Sequence, residues 1–577
     1  MTLVGEKLQV LAERLDLKAA LDNLQRNDLL PPRVEDKVQG QLRQGFLEGL
    51  TAAIADGSYR PLPADRVLVP KPRFASRPAS LLSLEDRLVY SSLVSTAGDK
   101  IERVLDDSER VFWPRGKPAP GRWKEFEKAP LAVEPSHIVL ADVAGFYESV
   151  DHARLRRVLI RVVGSTPLAD AICVWLGEVM GGPRGIPQGY SASDHLATVY
   201  LADADAAVAR AGFLLHRHGD DIRIPVHDYP DALRAAHVVE QGLRQCQLLP
   251  NSSKLTIETI GKYRTDLGRT DADAQRLREQ LESDAAERLL EEGKDEDVFY
   301  LLERLGFDVE PTGGYREGIA VGPDDVAELA AMLTPTTAEQ AWAMLDDGMR
   351  RRPGGGGDSQ ALSNEHFHER VAGALPVLAG AKGGKALVHC EVLLTRYAEE
   401  TALVASYLAA MAADQRQEVQ KICAAVLGSD TFMLGWQRAW LWNTLANVAP
   451  VELDEGIASL AQRAAESDRC DWIERLEATK LLAAIGSLER QILLTLWQRA
   501  PTVYRADLIA AAVLLQFRSP EDWPRRFLAT AKQDPIHTVV ESNIKNSARV
   551  RTQVGSDLNG TKAGSIEEKA SIAEPPS

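Results

Sequence analysis

The sequence has no run of about 18 apolar residues, so no membrane-spanning helix and no membrane partner are expected. Its first twenty residues mix Glu6, Lys7, Glu13, Arg14, Asp16 and Lys18 with leucines, which is not the pattern of a signal peptide. It also lacks any Cys-x-x-Cys pair. The five cysteines, Cys173, Cys246, Cys390, Cys423 and Cys470, are scattered and odd in number, which excludes a zinc-ribbon pattern or a disulfide framework. They read as buried free thiols of a reducing compartment, and a cytoplasmic location follows. A basic excess is missing too, since the formal net charge is −16. That acidity lies beyond residue 264, however; the front part is close to neutral and can still present a local basic groove, with Arg154, Arg156, Arg157 and Arg161 as candidates. The plain alternative for those arginines is a solvated helix face.

What the chain does have is a constellation of three carboxylates. The apolar run in Ile138-Val-Leu-Ala-Asp142-Val-Ala-Gly-Phe-Tyr147 predicts a short strand that delivers Asp142 to its end. Asp220 and Asp221 stand together in His218-Gly219-Asp220-Asp221-Ile222-Arg223, where glycine beside the acids predicts a tight hairpin. If the strand ends converge, the carboxylates repel one another and divalent cations are the usual remedy, which points to a two-metal phosphoryl-transfer site.

Around these acids the chain reads as helical from Met1 to about Ala55, with a break at Pro31-Pro32. Val67-Leu-Val69 is a strand candidate, followed by a Pro-bent loop carrying Lys71, Arg73 and Arg77. Such a loop suits a triphosphate, although surface charge is the plainer reading. A helix capped by Ser83 with Asp86 covers Leu84 to Val104, and Val111 to Val133, with Trp113, Arg115 and Trp123, reads as an exposed insertion. Helices are expected over Ala153–Val163, Leu168–Met180, His195–Ala209 and Asp231–Cys246. The Gly-rich turn Arg184-Gly-Ile-Pro-Gln188-Gly189 opens onto the third of these, and a strand follows Lys254-Leu-Thr256. Strands and helices in this order imply an α+β layer with helices on one face.

These segments resemble a reverse transcriptase palm. Asp142 to His152 is similar to motif A, Arg184 to Gly189 with Ser191 and Ser193 to motif B, His218 to Asp221 to motif C, Lys254-Leu-Thr256 to motif D, and Lys71 with Arg77 to the basic fingertips. Five motifs in register across Leu62 to Lys262 form a far more specific signal than any one of them. The resemblance implies that Asp142, Asp220, Asp221 and the Val143 carbonyl hold two Mg²⁺ or Mn²⁺ ions. It also implies that Lys71 and Arg77 bind the triphosphate, Gln188 contacts the incoming nucleotide and Lys254 protonates pyrophosphate. Where the family has Tyr-x-Asp-Asp, this chain has His218-Gly219-Asp220-Asp221, and Gly-Asp-Asp also marks RNA-dependent RNA polymerases. Those enzymes resemble one another in having Asp five residues after the first carboxylate. Tyr147 stands there instead, and its ring would fill the space of a ribose 2′-hydroxyl, so dNTPs are the expected substrate.

Beyond the palm there is no Val-Thr-Gly retron motif, no basic maturase region and no nuclease. The expected organisation is fingers and palm over 1–265, a helical thumb or connector over 266–350, an all-α HEAT-like repeat region over 361–545 and a disordered tail over 551–577. A break is expected at Arg350 to Gly357, and Trp436 and Trp440 are read as core between helices. This architecture resembles the abortive-infection and other antiphage-defence reverse transcriptases of bacteria. The resemblance implies a DNA product, RNA as a candidate template, homo-oligomers, and synthesis primed by a protein tyrosine or without template. Tyr59, Tyr90, Tyr300 and Tyr315 are the candidate priming residues. The competing readings are an RNA polymerase and a non-catalytic scaffold that binds nucleotide or nucleic acid.

Overall fold

The structure, a computed structural model, describes residues 2–24, 27, 29–38, 44–71, 75–106, 111, 122–267, 271–292, 333–354, 361–448, 455–516 and 522–531. Arg73, Trp113, Arg115, Tyr300, Tyr315, most of the connector, Gly355 to Gly357 and the tail lie outside them.

The chain is mostly helical and carries two small antiparallel sheets. Strands β1 (Asp65–Pro70) and β2 (Ser76–Leu81) pair as a hairpin with Val69 opposite Arg77. Arg77 is therefore a strand residue rather than part of the expected loop. The second sheet has the order β4-β5-β3-β6, from β3 (His137–Ala141), β4 (His216–His218), β5 (Asp221–Val226) and β6 (Thr256–Thr259). Ile138 and Val139, on opposite faces of β3, are both fully buried, so the strand is covered on both faces. Pro225 is tolerated in β5 because β4 ends at His216, opposite Arg223, and leaves the proline's outer edge without a ladder to break.

Helix Tyr229–Gln245, capped by Asp228, packs across β3, β5 and β6. Helices Leu84–Asp106, His152–Val163, Thr166–Met180 and Ser191–Tyr200 form a layer around stacked Tyr90 and Trp175, whose ring centroids are 4.7 Å apart. The first of these has the expected cap, Ser83 Oγ accepting from Asp86 N–H at 3.1 Å. Two readings of the chain are corrected. The helix expected over His195–Ala209 is two helices, Ser191–Tyr200 and Ala202–Arg210, divided at Leu201. The stretch expected to be an exposed insertion contains helix Arg122–Lys128, and its Phe126 is fully buried beneath the Arg223 guanidinium, 5.1 Å from the ring centroid. Its mixed charged and aromatic composition gave no periodicity to read.

From residue 364 onward the helices stack in two rows. Asn364–Gly380, Thr401–Met411, Gly435–Val448, Trp472–Ala484 and Arg505–Gln516 pack one on the next as an inner row, and Leu387–Arg396, Arg416–Gly428, Glu455–Glu466 and Arg490–Arg499 lie outside them. Inner helices are covered on both sides; every residue from Ile473 to Ala484 is buried, including Glu474, Arg475, Glu477 and Lys480, which are held in ion pairs or hydrogen bonds. Trp436 and Trp440 are core, as expected, with centroids 6.2 Å apart, and Trp436 Nε1 donates to the Leu29 carbonyl at 2.5 Å. Four of the cysteines are buried and Cys470 is half-buried, all of them free. Among the described residues no helix is long and apolar enough to cross a membrane.

The inner row is docked onto the front of the chain. Helix Gly435–Val448 packs on β1, and the Tyr504 hydroxyl donates to Asp65 at 2.6 Å. Buried Arg33 bridges the two regions, at 2.5 Å from Asp507 and 2.8 Å from Glu35, and donates to the Val503 carbonyl at 2.8 Å. Lys480 adds a second cation 3.4 Å from Asp507. Burial pushes the Glu35 carboxyl up to about 8, only partly offset by Arg33. For Asp507 burial acts in the same direction but is outweighed by Arg33 and Lys480, which hold its carboxyl below the usual range. Arg33→Met leaves two buried acids without their shared cation, and the expected loss is about 3–5 kcal/mol. Chemical or thermal unfolding of the full chain measures it; an unchanged midpoint would show that the junction is not a determinant of stability.

Candidate active site

The three acids come together because two turns have the residues they need. Asp142 leaves the end of β3, and Gly145, at φ +54°, lets the chain turn directly into the short helix Phe146–Ser149. Between β4 and β5, His218 pairs with Asp221, so Gly219 and Asp220 form a two-residue hairpin turn with φ +58° at Gly219. One ligand oxygen from each of Asp142, Asp220 and Asp221 lies within 4.8 Å of the others. Burial and the neighbouring Asp142 and Asp221 push the Asp220 carboxyl up to about 7. Asp221 is raised as well, chiefly by burial, with Arg223 and Lys254 opposing.

Further residues hold this repelling set in place. Asn251 Nδ2 donates to Asp142 Oδ2 at 2.9 Å, and Lys254 Nζ lies 3.2 Å from Asp142 Oδ1. Backbone bonds from Ala144 N–H to the Leu249 carbonyl and from Asn251 N–H to the Asp142 carbonyl tie the two segments together around the Val143–Pro250 pair. In such a pair the flanking residues carry the bonds, so the Val143 carbonyl is not consumed by this ladder. Arg217, fully buried, makes three bonds to Asp205 at 2.9, 3.2 and 2.6 Å and donates to the carbonyls of Gly219 at 2.8 Å and Thr198 at 3.1 Å. It thereby clamps the hairpin that presents Asp220. Sequence reasoning missed Asn251, Arg217 and Asp205, because their roles depend on contacts between segments that no local spacing announces.

The Gly-rich loop is bolted to the Asp142 segment. Ile186 N–H donates to the Tyr147 carbonyl at 2.9 Å, Gly185 N–H to the Val150 carbonyl at 2.8 Å, and His152 Nε2 lies 2.6 Å from the Gly185 carbonyl. The Tyr147 hydroxyl donates to Asp194, on the first turn of helix Ser191–Tyr200. Gln188 is tied by its backbone to the β1–β2 hairpin: its N–H donates to Ser80 Oγ at 3.2 Å and its carbonyl accepts from Ser80 N–H at 3.1 Å. Buried Asn27 bridges β2 and the loop, donating to the Ser80 carbonyl at 2.8 Å and the Gln188 carbonyl at 3.2 Å. Arg77 sits in β2 of that hairpin, and Lys71 follows β1, its N–H donating to the Ala75 carbonyl at 2.7 Å. The structure thus brings Asp142, Val143, Tyr147, Asp220, Asp221 and Lys254 together and links Gln188 to them through its loop. Lys71 and Arg77 belong to a neighbouring hairpin joined to that loop.

Two other expectations change. Arg154 and Arg161 both pair with Asp203, at 2.5 and 2.6 Å, and Arg156 pairs with Asp170 at 2.5 Å, so three of the four candidate arginines are held in ion pairs and the charge of this helix face is partly offset. Tyr59 and Tyr90 are buried, with hydroxyls bonded to Asp86 at 2.5 Å and Ser193 at 2.8 Å, so neither is available as a priming nucleophile.

As a ligand set, three carboxylates offer the hard oxygen donors that Mg²⁺ and Mn²⁺ take, and their mutual repulsion is the condition a divalent cation relieves. The residues therefore fit such ions. The chain matches no protein-family model and no curated protein.

Because the Asp220 carboxyl holds its proton to higher pH folded than unfolded, its contribution to stability is present at low pH and fades as pH rises toward about 7. Asp220→Asn is thus expected to raise Tm in chelator at about pH 8, by around 2–4 °C per kcal/mol relieved. The advantage should shrink toward about pH 4, and Mg²⁺ should stabilise the wild type more than the variant. Equal melting of the two proteins in chelator at the higher pH would refute the repulsion.

Proposed function

We propose that the chain is a nucleotidyltransferase that synthesises DNA from dNTPs, with a reverse transcriptase-like fingers and palm followed by HEAT-like repeats, acting in bacterial antiphage defence. The observation that carries this reading is the meeting of Asp142 with Asp220 and Asp221 from a separate hairpin, beside a glycine-rich loop that bears Gln188 and is bonded to Tyr147. The defence setting rests on the architecture of a front α+β region followed by stacked helices.

In this mechanism Asp142, Asp220, Asp221 and the Val143 carbonyl hold two divalent ions. When bound, these ions lower the pKa of an attacking 3′-hydroxyl and stabilise the charge on the leaving pyrophosphate. The protein's share is positioning and electrostatics. Asn251 orients Asp142, and Arg217 fixes the turn under Asp220. Lys254, exposed enough to move from Asp142, supplies a proton to pyrophosphate. Lys71 and Arg77 neutralise the triphosphate, Gln188 lies against the incoming nucleotide, and the Tyr147 ring favours a sugar without a 2′-hydroxyl. That ring is also what weighs against the RNA polymerase reading suggested by Gly219-Asp220-Asp221.

Incubating the full-length protein with labelled dNTPs and Mg²⁺ or Mn²⁺ tests the reading, with and without primer and RNA template. Polymer is expected, reduced about 10³-fold or more by Asp220→Ala, the loss of several kcal/mol of transition-state stabilisation. Asn251→Ala, which removes one bond to a catalytic carboxylate, should lower the rate about tenfold. No polymer under any of these conditions, or full synthesis by Asp220→Ala, would refute it.

A further inference from the structure

The acceptor that receives the Tyr147 hydroxyl has no place in the mechanism so far. Tyr147 lies five residues after Asp142, on the short helix Phe146–Ser149, and its backbone is fixed by the bond from Ile186 N–H. Backbone fixation leaves the side chain free to change rotamer. The ring is partly buried against the core, and its far end is tied by a bond from the hydroxyl to Asp194, a residue of a different segment. That segment is itself firmly held. Asp194 sits in the first turn of helix Ser191–Tyr200, where the free backbone N–H groups favour a carboxylate. The preceding Ser193 is bonded at 2.8 Å to Tyr90, which stacks on Trp175. On its other flank the Tyr147 ring meets Phe146 edge-on, with centroids 5.9 Å apart. The ring is therefore held between Phe146 and a tether to an anchored helix.

We propose that Asp194 is a specificity-determining positioning residue, which holds the Tyr147 ring across the space of an incoming sugar's 2′-hydroxyl and so selects deoxynucleotides. This rests on the nucleotidyltransferase reading above. Exclusion by a ring requires that the ring does not swing aside when a larger sugar arrives. A carboxylate acceptor provides that resistance, because an ionised acid only accepts and the phenol is its donor. In this role Asp194 acts through Tyr147.

The test is steady-state incorporation of dNTP against NTP by full-length wild type, Asp194→Ala, Asp194→Asn, Tyr147→Phe and the Asp194→Ala/Tyr147→Phe double variant. Asp194→Ala is expected to lower the discrimination ratio about tenfold, the worth of one hydrogen bond to a charged group. The change should appear as a larger fall in KM for the ribonucleotide than for the deoxynucleotide. Tyr147→Phe, which loses only the hydroxyl, should give the same fall. The double variant should go no further than either single change. Asp194→Asn keeps an acceptor oxygen and should restore most of the discrimination. Additive effects in the double variant, an unchanged ratio in Asp194→Ala, or an Asn variant no better than Ala would overturn the proposal while leaving dNTP polymerisation intact. A wild type that makes no polymer overturns the nucleotidyltransferase reading and this proposal with it.

Discussion

Three carboxyl groups held within a few ångströms set the terms for everything around them. Two of the three acids have help: Asp142 from Asn251 and Lys254, Asp221 from Arg223 at 3.8 Å. Asp220, at the tip of the hairpin, has its own backbone N–H and Lys254 to offset its burial and its acidic neighbours, and its carboxyl is still pushed up to about 7. The fold does not relieve this repulsion; it withstands it. Arg217 does so from beneath by gripping the turn's carbonyl, with its own charge cancelled by Asp205. In the proposed two-ion mechanism the free energy of relieving this repulsion would be added to that of coordination.

The same site is tied outward by a short succession of bonds. The Asp142 segment is bonded to the glycine-rich loop, that loop through Gln188 and Ser80 to β2, and β1 through Asp65 to Tyr504 of the stacked helices. Each link is a backbone or buried side-chain bond, so the hairpin bearing Lys71 and Arg77 is framed on both sides. The stacked helices are in this sense part of the scaffold for the front region and not an appendage to it.

Much of this was legible in the residues. A short apolar run ending in Asp142, and Gly219 beside paired acids, specified strand ends and a turn through local chemistry alone. The helix start at Ser83 was signalled by its capping residues, and Trp436 and Trp440 by their spacing; the cap Asp228 was not read, and the helix expected from Asp231 begins at Tyr229. What escaped was of two kinds. Helix Arg122–Lys128 has no apolar stripe, since Phe126 is its only fully buried side chain among those described, and a single residue makes no period. The partnerships Asn251 with Asp142, Arg217 with Asp205, Tyr147 with Asp194 and Arg33 with Asp507 join polar residues of separate segments, and any of these side chains alone reads as ordinary surface. Polar residues announce their partners only when the chain has brought them together.

The bond from Arg33 to Asp507 spans 474 positions of the sequence. A ribosome adding about 5–20 residues per second takes on the order of half a minute to a minute and a half to cover that distance. For most of that interval Arg33 is outside the exit tunnel with Glu35 beside it and Asp507 still unmade. The face around Arg33 therefore stays hydrated until the stacked helices arrive, and the junction is among the last parts of the molecule to close. Birth order thus separates the two halves: the chemistry is encoded first, and the surface that braces it is delivered last.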